Sequence, residues 1–171
     1  MRAVSNPLSF NSSAAASSAP RQLLVFRLGD LRLRIGVQSV TEVTRALNVS
    51  LPFPDSDVLL GLTVLRGEST PVIDLGRLLG ASEVCTEKTQ RLIAMRHNAQ
   101  TCCLLVSAID GLLDVENDSV KAADELGVGS NTNWLQGVLR AAHGELVGML
   151  NPDCVFSALA ALREKSGKAC V

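Results

Sequence analysis

The sequence predicts a mainly β protein built as two tandem small barrels of about five strands each around a shared core. Three observations predict it: an internal repeat, alternating apolar and polar runs broken by turn residues, and a core composition that is almost wholly aliphatic. Shifting the first half by 69 residues places Leu23 on Leu92, Phe26 on Met95, Val37 on Val106, Val40 on Ile109 and Val43 on Leu112 without a gap. Further on, Gly61, Gly67 and Asp74 match Gly137, Gly144 and Asn151, with one extra residue in the second turn. A unit of five short strands is too small to bury a large core alone, and two copies packed together bury a common one. Hydrophobic residues are 47% and aromatics only 3%, so that core is made of Leu, Val, Ile and Ala.

Residues 1–21 are Ser- and Ala-rich and read as a disordered arm, because so little apolar area cannot offset the entropy of ordering it. The arm has no acid before Asp30, as in an organellar transit peptide, but basic residues are also scarce, and it has no apolar segment of a secretory signal. The ordered chain begins with Leu23-Leu24-Val25-Phe26-Arg27-Leu28, a strand by composition. Gly29-Asp30 turns it into Leu31-Arg32-Leu33-Arg34-Ile35, whose alternation gives one buried and one wet face. Val37, Val40 and Val43 recur every third residue, which suits a helical turn, yet all three are β-branched, so a short helix running into a strand is expected. Pro52 and Pro54 mark a loop or an edge segment. Val58 to Leu65 then reads as a buried strand, Arg66-Gly67-Glu68-Ser69 as a turn and Thr70 to Asp74 as the return strand. Asp74 caps a helix from Leu75 to Leu79 that Gly80 ends.

The pattern restarts at Leu92, with a turn at His97-Asn98-Ala99-Gln100, a strand from Thr101 to Val106, and a long polar loop from Asn117 to Asn133. Strands from Leu135 and Glu145 flank Gly144. Asn151 caps a terminal helix with Pro152 at its first position, and Val155, Phe156, Leu159 and Leu162 form its apolar stripe. The expected organisation is a first barrel over about 22–80, a second over about 90–150, closure by the helix to 162, and a frayed tail over 163–171.

Function classes narrow quickly. Sixteen basic and seventeen acidic residues leave a net charge of -1, so no basic face calls for nucleic acid. No apolar run reaches a membrane span, and no direct membrane insertion is expected. Five cysteines, none spaced as CxxC, make neither a disulfide framework nor a zinc site, so they read as reduced core thiols in a cytosolic protein. No metal or cofactor is expected. His97 and His143 fall in turns and read as solvated. Asp110 and Asp114 bracket Gly111 but lack a cleft for acid–base work. An enzyme built on a reactive Cys102 or Cys103 would need a nearby base or cation, and none is evident.

Three segments together resemble the CheW family. They are Leu24-Val25-Phe26-Arg27-Leu28-Gly29-Asp30 followed by Val40-Thr41-Glu42-Val43, then Gly61 through Leu65-Arg66-Gly67-Glu68 to Leu75, and Gly137-Val138 through Gly144 to Asp153. The resemblance spans about residues 22–162. It implies two five-stranded SH3-like barrels, no catalysis, and a scaffold in a bacterial chemotaxis signalling array. The partners it implies are the regulatory domain of the CheA histidine kinase and the cytoplasmic tips of chemoreceptors. By position it implies that Leu24, Val37 and Val40 lie on the first-barrel surface that meets the kinase, and that Glu42, Arg66 and Gly67 lie near the groove that meets the receptor. Taken together, Leu24, Val37 and Val40 would form one exposed apolar patch, the mark of a partner site. Val64, Ser107 and Asn151 depart from the family pattern. Relatives of the family also serve pilus-based or gliding motility, which is the alternative pathway.

Overall fold

A computed structural model describes residues 21–46, 49–50, 56–80, 89–115, 134–140 and 146–167. The arm before Arg21, the loop from Asn117 to Asn133, and His143 therefore lie outside the described residues.

Five strands belong to the first repeat: β1 (Arg21–Leu28), β2 (Leu31–Gly36), β3 (Val40–Arg45), β4 (Leu59–Leu65) and β5 (Glu68–Asp74). A 3-10 turn, Val37–Ser39, links β2 to β3, and helix α1 (Leu75–Leu78) follows β5. The second repeat supplies β6 (Arg91–His97), β7 (Gln100–Val106), β8 (Ala108–Val115), β9 (Leu135–Arg140) and β10 (Leu146–Leu150), then helix α2 (Pro152–Gly167). The helical turn running into a strand at Val37–Val43 is present as expected.

The repeat does not define the barrels in the way the sequence suggests. One sheet has the order β8-β1-β2-β10-β9 and the other β3-β6-β7-β5-β4. Each sheet thus takes two strands from one repeat and three from the other, and the barrels over 22–80 and 90–150 do not exist as separate units. The reason lies at the two crossing points. The Val37–Ser39 turn after β2, and the single residue Ser107 after β7, are not hairpin loops, so the next strand enters the opposite sheet instead of folding back. Substituting repeat positions, both sheets have the same order, so the molecule has an internal two-fold arrangement.

Matching details repeat across it. Asp74 N–H donates to Val58 O at 2.8 Å, and Asn151 N–H donates to Trp134 O at 2.8 Å. Asp74 Oδ1 accepts from Arg77 N–H at 3.1 Å and Asn151 Oδ1 from Asp153 N–H at 3.0 Å, so both predicted caps form. Gly148 lets β10 approach β2, because a Cβ there would stand 2.9 Å from Leu33 Cδ2.

One core joins the two sheets. Phe26, Leu33 and Ile35 from the first sheet meet Ile73, Ile93, Met95 and Leu104 from the second, with Val155, Phe156 and Leu159 of α2 across one side. A smaller cluster of Val72, Leu92, Ala94 and Cys103 lies on the other face of the second sheet. Ser50 exchanges backbone hydrogen bonds with Leu62 at 2.8 and 2.9 Å, which carries the chain beyond β3 onto β4 and closes that barrel. β4 is an edge strand of its sheet with an exposed Val64, so the buried strand expected at Val58–Leu65 is buried at alternate positions only. Helix α2 extends to Gly167, beyond the expected end at 162. His97 is not a free turn histidine: its Nε2 lies 3.1 Å from Asp153 Oδ1, and its ring stacks on Phe156 with centroids 5.6 Å apart. It fastens the β6–β7 turn to α2.

The adjacent Cys102 and Cys103 are both buried, on opposite faces of β7. Burial pushes each thiol up to about 12, helped by Cys103 at Cys102 and by the Glu42 charge at Cys103, with Arg163 opposing at Cys102. A thiolate nucleophile at these positions is therefore disfavoured at neutral pH. Because the folded state holds these protons more tightly than the unfolded chain, their contribution to stability is complete below the ordinary thiol value near 9 and is lost as pH rises from there to 12. The unfolding free energy from urea titrations should fall as pH rises from 9 to 11, because the unfolded chain gives up these protons first. Cys102→Ala and Cys103→Ala should each flatten that slope, and an unchanged slope would contradict burial of the thiols.

Candidate docking site

The β4–β5 hairpin turns on two residues, Arg66 and Gly67, with Leu65 paired to Glu68 across it. Both turn residues have positive φ, 49° and 87°, as a type I′ turn demands. Gly67 is there for its backbone, since a Cβ would meet nothing within 4 Å. Arg66 is a non-glycine residue in the left-handed region, which costs about 1–3 kcal/mol and is a feature concentrated at functional sites. Its guanidinium is anchored to β3: Nε and Nη2 both contact Glu42 Oε2, at 3.1 and 3.0 Å. The Arg66 side chain remains 77% exposed and Glu42 25%, so the pair adds little stability and serves mainly to hold the guanidinium in place.

Beneath this pair lies a groove of about 190 Å³. Thr41 and Glu42 of β3 form one side, Leu65, Glu68 and Thr70 of the hairpin the other, and Arg96 and Thr101 of β6 and β7 the floor between. The three residues expected at the receptor surface, Glu42, Arg66 and Gly67, are thus brought together. Sequence reading missed Arg96, which the 69-residue offset pairs with Arg27.

The apolar set does not form the expected patch. Leu24 is only 5% exposed and belongs to the shared core, because β1 is flanked by β8 and β2 and this side chain faces inward. Val37 and Val40 are partly buried against the same core. Exposed apolar area lies instead on the edge strand β8, where Leu112, directly opposite Leu24, is 61% exposed and Leu113 is also exposed. The available signal was Val43, the repeat counterpart of Leu112, which is exposed on the edge strand β3.

A family model for the CheW-like domain matches residues 22–160. The chain belongs to the CheW-like family. Among its relatives, Chemotaxis protein CheW of Rhizobium meliloti (strain 1021) is 24% identical over 147 residues, covering 85% of this chain and 94% of that protein. Protein FrzA of Myxococcus xanthus is 31% identical over 140 residues, covering 80% and 86%. The crystal structure of scaffolding protein TtCheW from Thermoanaerobacter tengcongensis has the same fold, with a TM-score of 0.70 at 19% identity, covering 81% of this chain and 88% of that one. The CheW-like chain therefore has the two-barrel fold of a family of scaffold proteins. Among its described residues, no helix is long and apolar enough to cross a membrane.

Proposed function

We propose that this CheW-like chain is a non-catalytic cytoplasmic adaptor that couples chemoreceptor tips to the regulatory domain of a CheA-type histidine kinase. The observation that carries the reading is the strained Arg66-Gly67 turn, whose guanidinium Glu42 holds over an open groove. Arg66, Gly67 and Glu42 form the receptor-docking site in this reading, since a fixed guanidinium makes directional contacts to carboxylates and carbonyls. The kinase docks on apolar surface, with Leu112 making the contact that position alone assigned to Leu24. Leu24, Val37 and Val40 shape that region from the core side. Engaging two partners at once raises the effective concentration of each for the other.

A pull-down with a receptor-tip fragment and a CheA regulatory domain tests this. Arg66→Ala should weaken tip binding about tenfold or more, the scale of a charge-assisted hydrogen bond. Leu112→Arg should weaken kinase binding while leaving tip binding and the circular dichroism spectrum unchanged. Absence of binding by the wild-type chain to both fragments would sink the adaptor reading. A second reading puts the same coupling role in a pilus-based or gliding pathway. The match to Protein FrzA of Myxococcus xanthus, 31% identical, is what supports a pathway of the myxobacterial kind.

A further inference from the structure

The internal two-fold gives most features of one barrel a counterpart in the other, and one pair does not balance. A bulge in the β1–β8 ladder leaves Asp110 without a register partner between Ile109 and Gly111. The same bulge in the β6–β3 ladder leaves Thr41 without one between Val40 and Glu42. A bulge re-aims the side chain it frees. Naming each barrel by its sheet, β8-β1-β2-β10-β9 the first and β3-β6-β7-β5-β4 the second, the freed Asp110 carboxylate of the first is gripped by Arg27 Nε at 2.8 Å and Arg32 Nε at 3.1 Å, and its side chain is 18% exposed. The 69-residue offset carries Arg27 to Arg96, Arg32 to Thr101 and Asp110 to Thr41. The second barrel therefore keeps one guanidinium, has a hydroxyl in place of the other, and lacks the carboxylate. The Thr41 hydroxyl donates to Ala94 O at 3.2 Å.

Where the first barrel has a closed ion cluster, the second has the open groove. Among the described residues Arg96 has no ion-pair or hydrogen-bond partner. The other charges facing the groove do not neutralise it. Glu42 is held by Arg66, and Glu68 lies on β5, separated from β6 by β7, roughly 10 Å away at ordinary strand spacing. We propose that the groove takes a carboxylate side chain from a docked protein segment, clamped by Arg96 beside the Thr41 and Thr101 hydroxyls. A partner thereby completes in the second barrel the ion cluster that Asp110 completes within the first. The proposal rests on the receptor-docking reading of this groove and specifies what the receptor tip must present: an acidic residue.

Two measurements test it. In Thr41→Asp the introduced carboxyl should occupy the place that Asp110 occupies in the first barrel. Its midpoint, followed by carbon-detected NMR, should fall about one pH unit below the ordinary value near 3.9 and return when Arg96→Gln is added. An ordinary midpoint that ignores Arg96 overturns the proposal. With a receptor-tip fragment as probe, Arg96→Gln and Thr41→Asp should each weaken binding at least tenfold, increasingly masked by salt, while Arg27→Gln should not. Equal binding by wild type and Arg96→Gln overturns it as well. A tip fragment that fails to bind the wild-type chain overturns the receptor reading alone, and the carboxyl titration then decides the groove by itself.

Discussion

Phe26→Ala should lower the unfolding free energy by about 3–5 kcal/mol and leave both barrels melting in one transition. Phe26 is fully buried, lies opposite Leu33 on β2 and Ile109 on β8, and belongs to the core shared by both sheets. Truncation removes a ring from a site walled by strands on either side, so the cavity collapses little and both the transfer and cavity contributions are lost. Total stabilities are about 5–15 kcal/mol, so the loss is a large fraction. Its repeat counterpart Met95, equally buried, should give about 2–5 kcal/mol on truncation to Ala. Urea unfolding read by Trp134 emission and by far-ultraviolet circular dichroism should give coincident curves for both variants. Two resolved transitions would show that the barrels are independent, contrary to the shared core.

Neither half of the chain should fold alone. Fragments 21–80 and 89–167, split between the repeats, should each give spectra of unfolded chain and recover β structure when mixed in equal amounts. Residues 21–80 contain β1 and β2 of one sheet and β3, β4 and β5 of the other, but not the strands that pair with them across β1–β8, β2–β10, β3–β6 and β5–β7. Alone, that fragment leaves four strand faces unpaired and exposes Phe26, Leu33 and Ile73 to water. A stable fragment 21–80, shown by a cooperative melt of its own, would contradict the exchanged topology.

The sequence revealed the duplication but not its wiring, and the difference is physical. Alternation in Leu31–Ile35 and the Asp74 and Asn151 caps are local features, and each appears where its residues place it. Which strand pairs with which is decided by long-range contact. The one local clue was negative: Gly36-Val37-Gln38-Ser39 lacks a hairpin turn, and the chain crosses to the other sheet there. Leu24 was misjudged for the same reason, since its burial depends on β8, more than eighty residues later. The grouping of Glu42, Arg66 and Gly67 was more legible because Arg66-Gly67 is a turn of adjacent residues, and Glu42 is joined to it by one ion pair. Arg96 was missed because its interest lies only in comparison with Arg27 and Asp110, which requires knowing where both bulges fall.

The exchanged strands have a further consequence. A lone five-strand unit cannot close either barrel, yet two separate copies would close both by trading arms, each lending its first hairpin to the other. The covalent link between α1 and β6 makes one chain of what would otherwise be a dimer of two similar units. Two units in one chain need not match each other: one mouth is sealed by Asp110 and its twin is open.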